Sequence, residues 1–326
     1  MKPVLRRILL LTAAVYLILG LSPLALRFAV SGHAEPPPAA SPSPAADESP
    51  DAVQTGTFRI LDTGTGEILT VSDADFLRGA LPCEMPLNAP DEALKAQLVA
   101  IYTVYSRKRL QNTDAAYDFT CDSGNRQIYM TEDDRAASFG EAWDDARERL
   151  DTLCASVAGQ RLLYDGEPIE STFFAISAGC TQPFENVWSE NSYPYLTAVA
   201  CPSDMLYDGY KATESFTPDE VRAAFPDVDC TDAPETWFAD ARYYESGYVE
   251  SIALCGTTLS GTDVRRALGL RSASFTVAYD GESFTFTTLG WGHGVGMSQA
   301  GAIYMAENGA DYREILAYFY PGAELG

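Results

Sequence analysis

Residues 8–26, ILLLTAAVYLILGLSPLAL, run without a charge, and this segment divides the chain into parts that must fold in different solvents. A stretch of that length is enough to cross a hydrocarbon core. Lys2, Arg6 and Arg7 precede it, which favours keeping the N-terminus on the cytoplasmic side. Gly32-His33-Ala34 has the small-x-small form of a signal cleavage site, whereas the length of the run favours an uncleaved anchor. On either reading the remainder is exported. Residues 34–51, AEPPPAASPSPAADESPD, hold no large apolar side chain and read as an extended tether. The expected organisation is a cytoplasmic N-terminus and single membrane anchor over 1–30, a Pro/Ala/Ser-rich linker over 31–52, and an extracytoplasmic domain over 53–326.

Charge narrows the partners of that domain. The whole chain carries −24, and residues 1–30 contain four basic residues and no acid. The exported part therefore has 18 basic against 46 acidic residues, a net −28. Such a surface repels nucleic acid and anionic lipid. Seven cysteines, Cys83, Cys121, Cys154, Cys180, Cys201, Cys230 and Cys255, lie in the exported part, where disulfides are permitted. The odd count leaves at least one unpaired within a single chain, and the spacing does not reveal the pairing. The two histidines are His33 and His293, and no Cys-x-x-Cys is present, so no structural zinc site is expected.

Local patterns predict an α+β fold, with helices and mainly antiparallel strands around a substrate groove. Residues 58–61 and 68–71 read as strands about Thr63-Gly64-Thr65-Gly66, followed by a short helix over 73–81. Leu94, Leu98, Ile101 and Tyr105 form a helical stripe after Pro90, with Asp91 and Glu92 at its positive end. A second helix spans about 140–157, and strands are expected at 161–164 and 169–177. Thr217-Pro218-Asp219-Glu220 is a capping box. Residues 247–255 read as a strand and 262–268 as a helix closed by Gly269. Residues 275–278 and 284–289 form a hairpin, and helices near 297–307 and 311–319 finish the chain.

Three segments carry residues suited to chemistry. Glu84 stands in Leu81-Pro82-Cys83-Glu84-Met85-Pro86, read as a proline-flanked loop. Apolar neighbours would desolvate its carboxyl and raise its pKa, as a general acid near neutral pH requires; a turn-capping role is the competing reading. Ser177-Ala178-Gly179-Cys180-Thr181 precedes Trp188 and Pro194-Tyr195-Leu196, and aromatics among polar groups suit sugar rings or plain loop packing. No GxSxG elbow marks Ser177 as a nucleophile. Gly290-Trp291-Gly292-His293-Gly294-Val295-Gly296-Met297-Ser298-Gln299 is too glycine-rich for regular structure. It fits a backbone that must approach a ligand or another segment closely, with His293 either binding substrate or holding the loop.

In this order the segments resemble the stage II sporulation protein D family. The matching elements are Glu84-Met85-Pro86, Glu92–Gln97, Ser177–Thr181 with Trp188 and Pro194–Leu196, Gly292–Gln299, and Tyr320-Pro321-Gly322. Gly261–Leu270 looks like the family's late helix, and the resemblance spans about residues 57–322. It implies a lytic transglycosylase that cuts the MurNAc–GlcNAc bond of peptide-denuded glycan strands, leaving anhydro-MurNAc ends during sporulation engulfment or related wall remodelling. Glu84 takes the position of the catalytic acid. Lys95, Gln97, Ser177, Thr181, His293, Ser298 and Gln299 are candidates for holding substrate. The resemblance implies a cell-wall amidase and a membrane scaffold protein as partners, and no cofactor is expected. The chain departs from the family pattern at Ile101-Tyr102-Thr103-Val104, where Ala-Arg-Thr-Tyr is common, and at Cys121–Arg126, which keeps only the Cys-Asp of a Cys-Asp-x-x-His-Cys element. Some relatives resemble amidase enhancers, so the alternative is a non-catalytic glycan-binding activator of an amidase.

Overall fold

A computed structural model describes residues 56–188 and 191–326. The expected anchor and tether lie outside the described residues, and no helix among those described is long and apolar enough to cross a membrane. The fold is α+β, and its strand pairings are antiparallel except for two. Thr57–Asp62 pairs antiparallel with Ile68–Ser72, and Phe119–Cys121 adds in parallel to the first of these strands.

Eight α-helices follow in the described residues. Helix α1 spans Asp73–Glu84, α2 Asp91–Gln111, α3 Glu132–Phe139 and α4 Trp143–Ser156. Helices α5 and α6 span Pro218–Ala224 and Gly261–Leu268, and α7 and α8 span Gln299–Glu307 and Tyr312–Phe319. Helix α2 is the central post, with α1, α4, α7 and α8 packed on it. The expected stripe of Leu94, Leu98, Ile101 and Tyr105 is buried, but so are Ala93, Ala96, Ala100, Gln97, Thr103 and Ser106. A helix buried on all sides needs small residues where neighbours cross, and the alanines meet that need.

Two apolar clusters organise the described residues. The larger surrounds α2 and draws in Phe58, Phe76, Val295, Met297 and Phe319. The smaller lies between two three-stranded sheets and helices α5 and α6, around Trp237, Phe284 and Phe286. One sheet is Phe275–Tyr279, Phe284–Leu289 and Lys211–Phe216, and the other is Thr257–Ser260, Val249–Leu254 and Phe238–Tyr243. A Cys230–Cys255 disulfide staples this second cluster, while Cys83, Cys121, Cys154, Cys180 and Cys201 are free thiols.

Local signals and tertiary context agree in some places and part in others. Thr217 caps α5 through the expected box, its hydroxyl accepting from the Glu220 amide while the Glu220 carboxylate accepts from the Thr217 amide. Gly269 closes α6 in the left-handed region, at φ +67°. The continuous strand expected over 169–177 is not formed. Only Phe173–Phe174 pairs, in parallel with Met297–Ser298. On either side the chain bonds elsewhere, Ile169 N to Leu162 O and Ile176 N to Trp291 O, so no single ladder serves the segment. Helix α7 begins at Gln299 rather than 297, because Ser298 is its cap and Met297 belongs to that short strand.

Candidate active site

Glu84 is the last residue of α1 and not part of a loop, which corrects the expectation of a helix ending at 81. Ser72 starts α1 by accepting from the Asp75 amide. Pro82 lies within its last turn, where it removes one helical hydrogen bond without displacing the two residues that follow. Met85 then turns extended, at φ −135° and ψ 144°, as a residue before proline prefers. Glu84 thus leaves a rigid element at the moment the chain turns toward α2.

The Glu84 carboxyl has neither an ion-pair partner nor a hydrogen bond among the described residues. Burial pushes its pKa up to about 7. Its place at the negative end of α1 acts in the same direction. A carboxyl so poised is protonated for about half the time at neutral pH and can give up a proton and take one back.

Two glutamines fix the backbone at this point. Gln299, at the start of α7, donates through Nε2 to the Glu84 carbonyl oxygen (3.3 Å) and to Gln97 Oε1 (3.3 Å). Gln97 is fully buried in α2, and its own Nε2 has no partner among the described residues. Residues from three helices, more than 200 positions apart in the case of Glu84 and Gln299, therefore meet here. Lys95 is engaged nearby along α2: its Nζ pairs with Glu92 Oε1 at 2.7 Å, and Glu92 Oε2 accepts from the Tyr312 amide at the start of α8. Tyr102 stands where the family pattern has arginine. It is buried and donates to Asp73 at 2.6 Å. Asp73 is the first residue of α1, about 16 Å along that helix from Glu84.

Ser177, Thr181 and Ser298 are buried and spend their hydroxyls on the protein itself. Thr181 donates to Thr197 O and accepts from Val199 N, closing a small backbone clamp. Ser298 caps α7 and donates to Asp204 Oδ2 at 2.5 Å, while the Ser177 amide donates to the same oxygen at 2.7 Å. Burial raises the Asp204 pKa, and these hydrogen bonds oppose the rise. Asp204 is thus the post that ties the 177 loop to the residue next to Gln299. It had no sequence signal, because nothing in Pro202-Ser203-Asp204-Met205 announces burial.

The glycine loop is a close-packed strap. Gly290, Gly292, Gly294 and Gly296 all have positive φ. A Cβ on Gly296 would strike the Thr172 carbonyl, and one on Gly290 the Ile176 carbonyl. Hydrogen bonds from Trp291 to Ile176 and from Gln182 to Gly294 lace the strap to the 172–182 segment. His293 accepts from the Val295 amide through Nδ1 (3.1 Å), and its ring lies between Phe174 and Trp188. Burial, aided by the Arg265 charge, lowers its pKa to about 4, so it is neutral at pH 7. Here it holds the loop rather than carrying a proton.

Among the described residues no three His, Cys, Asp or Glu side chains converge where a metal ion could be held. Asp122, in the shortened Cys-Asp element, instead accepts from the amide and side chain of Asn125 in a tight turn.

Comparison with known proteins matches residues 62–164 to a family model described as Stage II sporulation protein. Stage II sporulation protein D of Bacillus subtilis (strain 168) is 32% identical over 255 residues, 77% of this chain and 73% of the relative. The chain belongs to the stage II sporulation protein D family. The Bacillus amyloliquefaciens member is likewise 32% identical, over 254 residues and the same shares of both chains. The Amidase enhancer of Bacillus subtilis (strain 168) is 26% identical, over 76% of this chain and 40% of that protein. As a stage II sporulation protein D family member, the chain has Glu84, Gln97 and Gln299 in one cluster, although they come from three separate motifs.

Proposed function

We propose that this protein is a lytic transglycosylase of the cell wall, held at the membrane by its N-terminal segment with the catalytic domain outside. The observation that carries the reading is the Glu84 carboxyl, raised to about 7 by burial and without a charged partner among the described residues. Protonated Glu84 gives its proton to the oxygen linking MurNAc to GlcNAc as that bond breaks. The resulting carboxylate then takes the proton of the muramic acid's own primary hydroxyl, whose oxygen closes on the anomeric carbon. The products are a free GlcNAc hydroxyl and an anhydro-MurNAc end, and Glu84 returns to its acid form. A single carboxyl serves both steps because the nucleophile is tethered to the reacting sugar. Hydrolases that must hold a water usually need a second one. Strands whose stem peptides an amidase has already removed are the proposed substrate, in engulfment or related wall remodelling, with that amidase and a membrane scaffold as partners.

The test is to incubate the purified full chain with peptide-stripped strands and look for anhydro-MurNAc ends by mass spectrometry. Ends formed by wild type and not by Glu84→Gln support the proposal, whereas equal yields from both remove Glu84 from the mechanism. A second reading has its own support. The similarity to a protein named Amidase enhancer, together with Tyr102 in place of the common arginine, fits a glycan-binding activator. That reading expects stimulation of an amidase with no new anhydro ends.

A further inference from the structure

The strongly acidic exported chain contains a groove of the opposite character. It has a volume of about 550 Å³ and runs between α6 and the glycine strap. Arg265, Arg266 and Arg271 line it together with Trp188, Trp291 and His293, and no acidic side chain among the described residues does. Neither Arg265 nor Arg271 pairs with a carboxylate among the described residues; Arg266 makes only an exposed 3.4 Å pair with Asp263. With acids outnumbering bases by more than two to one in the exported part, adjacent guanidiniums left without carboxylates mark a place where an incoming anion finds its charge unmatched. Burial lowers the pKa of Arg265, and the like charge of Arg266 adds to that effect, so an anion here would relieve a cost already present.

The rest of the lining selects the kind of anion. Trp188 and Trp291 are 37% and 49% exposed, an unusual degree for so large an apolar surface. Exposed indole faces suit the apolar faces of sugar rings. The Arg271 guanidinium lies 4.6 Å from the centre of the Trp291 ring, so a flat apolar platform and a fork of donors stand side by side. Both are held by backbone: Trp291 exchanges hydrogen bonds with Ile176 (2.7 and 3.0 Å), and Gly292 N donates to Arg271 O (2.9 Å). From Trp291 to Gln299, whose side chain touches the Glu84 carbonyl, is eight residues, at most about 29 Å of chain. That separation is within the length of a strand of several sugars.

We propose that this groove is a subsite for an acidic saccharide, with Arg271 and Arg265 taking the free carboxylate of a muramic residue and Trp291 and Trp188 taking ring faces. The identity of the saccharide rests on the cell-wall glycan reading above. While a stem peptide is attached, that carboxyl is an uncharged amide, and hydrolysis of the amide frees the charge. The groove therefore gives the protein a direct means of preferring strands that an amide hydrolase has already stripped, at a place separate from Glu84.

Binding tests this without cleavage. The full chain carrying Glu84→Gln is titrated by calorimetry with soluble peptide-free glycan strands, and with the same strands after their carboxyls have been converted to amides. We expect the free-acid strands to bind at least about tenfold more tightly, with an advantage that shrinks as salt rises. Arg271→Gln in the same background, checked for an unchanged melting temperature, should abolish that preference, and Arg271→Lys should restore part of it. Equal affinity for acid and amidated strands overturns the proposal and needs no groove variant to be read. So does an undiminished preference in Arg271→Gln, or a poly(glycerol phosphate) that binds as tightly as the glycan. Because Glu84 is already removed, carboxylate-dependent binding beside a wild type that never cleaves would count against the transglycosylase alone. Cleavage with no such preference would count against the groove alone.

Discussion

Replacing Glu84 with glutamine should make the protein more stable, and only above a defined pH. The carboxyl titrates at about 7 in the fold against an ordinary 4.5, because burial disfavours its charged form. Below pH 4.5 it is protonated both folded and unfolded, so it makes no difference to stability there. Between 4.5 and 7 the unfolded chain releases the proton while the folded one keeps it, and stability falls as pH rises. Above 7 the full cost is present, about 3 kcal/mol. Glutamine has nearly the same shape and never ionises. In a domain of this size the gain corresponds to a rise in Tm of roughly 6 °C. Paired thermal or urea unfolding of wild type and Glu84→Gln from pH 4 to 9 measures it. The difference should be near zero at pH 4, grow through pH 5–7 and level off by pH 8. A difference independent of pH, or a variant less stable at pH 8, would refute the claim that Glu84 is held protonated by burial.

Four further outcomes follow from named contacts. Cleavage rates at limiting substrate should fall about tenfold per pH unit well above 7, as the acid form of Glu84 is lost; a flat profile from pH 6 to 9 would exclude it as the proton donor. Gly296→Ala should cost about 2–5 kcal/mol in urea unfolding, from its φ of +78° and the collision with the Thr172 carbonyl. Asp204→Ala should cost about 2–4 kcal/mol, since the Ser177 amide and the Ser298 hydroxyl lose their shared acceptor. It should also slow cleavage through Gln299, and normal stability would deny Asp204 that role. Reducing Cys230–Cys255, which closes a separation of 25 residues, should lower stability by about 3.5 kcal/mol, read as a drop in Tm on adding reductant that a Cys230→Ser/Cys255→Ser variant no longer shows.

Signals confined to a few neighbouring residues were legible in the sequence. The start of α2 after Pro90, the Thr217 box and the Gly269 cap each depend on contacts within one helical turn. The glycine strap was also legible, because four positive-φ positions leave little choice of residue. What escaped depends on contacts between distant segments. The extended reading of 169–177 failed because its polar backbone is divided among Leu162, Trp291 and the Met297–Ser298 strand. The helix expected over 73–81 continues three residues further, through Pro82 to Glu84, since proline near a C-terminus forfeits a single bond. At the site, the residue types around Glu84 correctly foretold a raised pKa. Asp204 and the arginines of α6 did not stand out, because an acid in a loop or a base on a helix reads as solvated surface until its neighbours are known. Ser177, Thr181 and Ser298 are buried fasteners of the loops that surround them, a placement that depends on distant partners and that their motifs do not carry.

The most direct measurement of the central claim is to run the cleavage reaction in water enriched in oxygen-18 and weigh the newly formed ends. If Glu84 drives closure of the muramic hydroxyl on its own anomeric carbon, the ends are anhydro sugars and carry no label, and Glu84→Gln forms none. Label on a new reducing end would mean that water is the nucleophile, and the single-carboxyl account would be wrong.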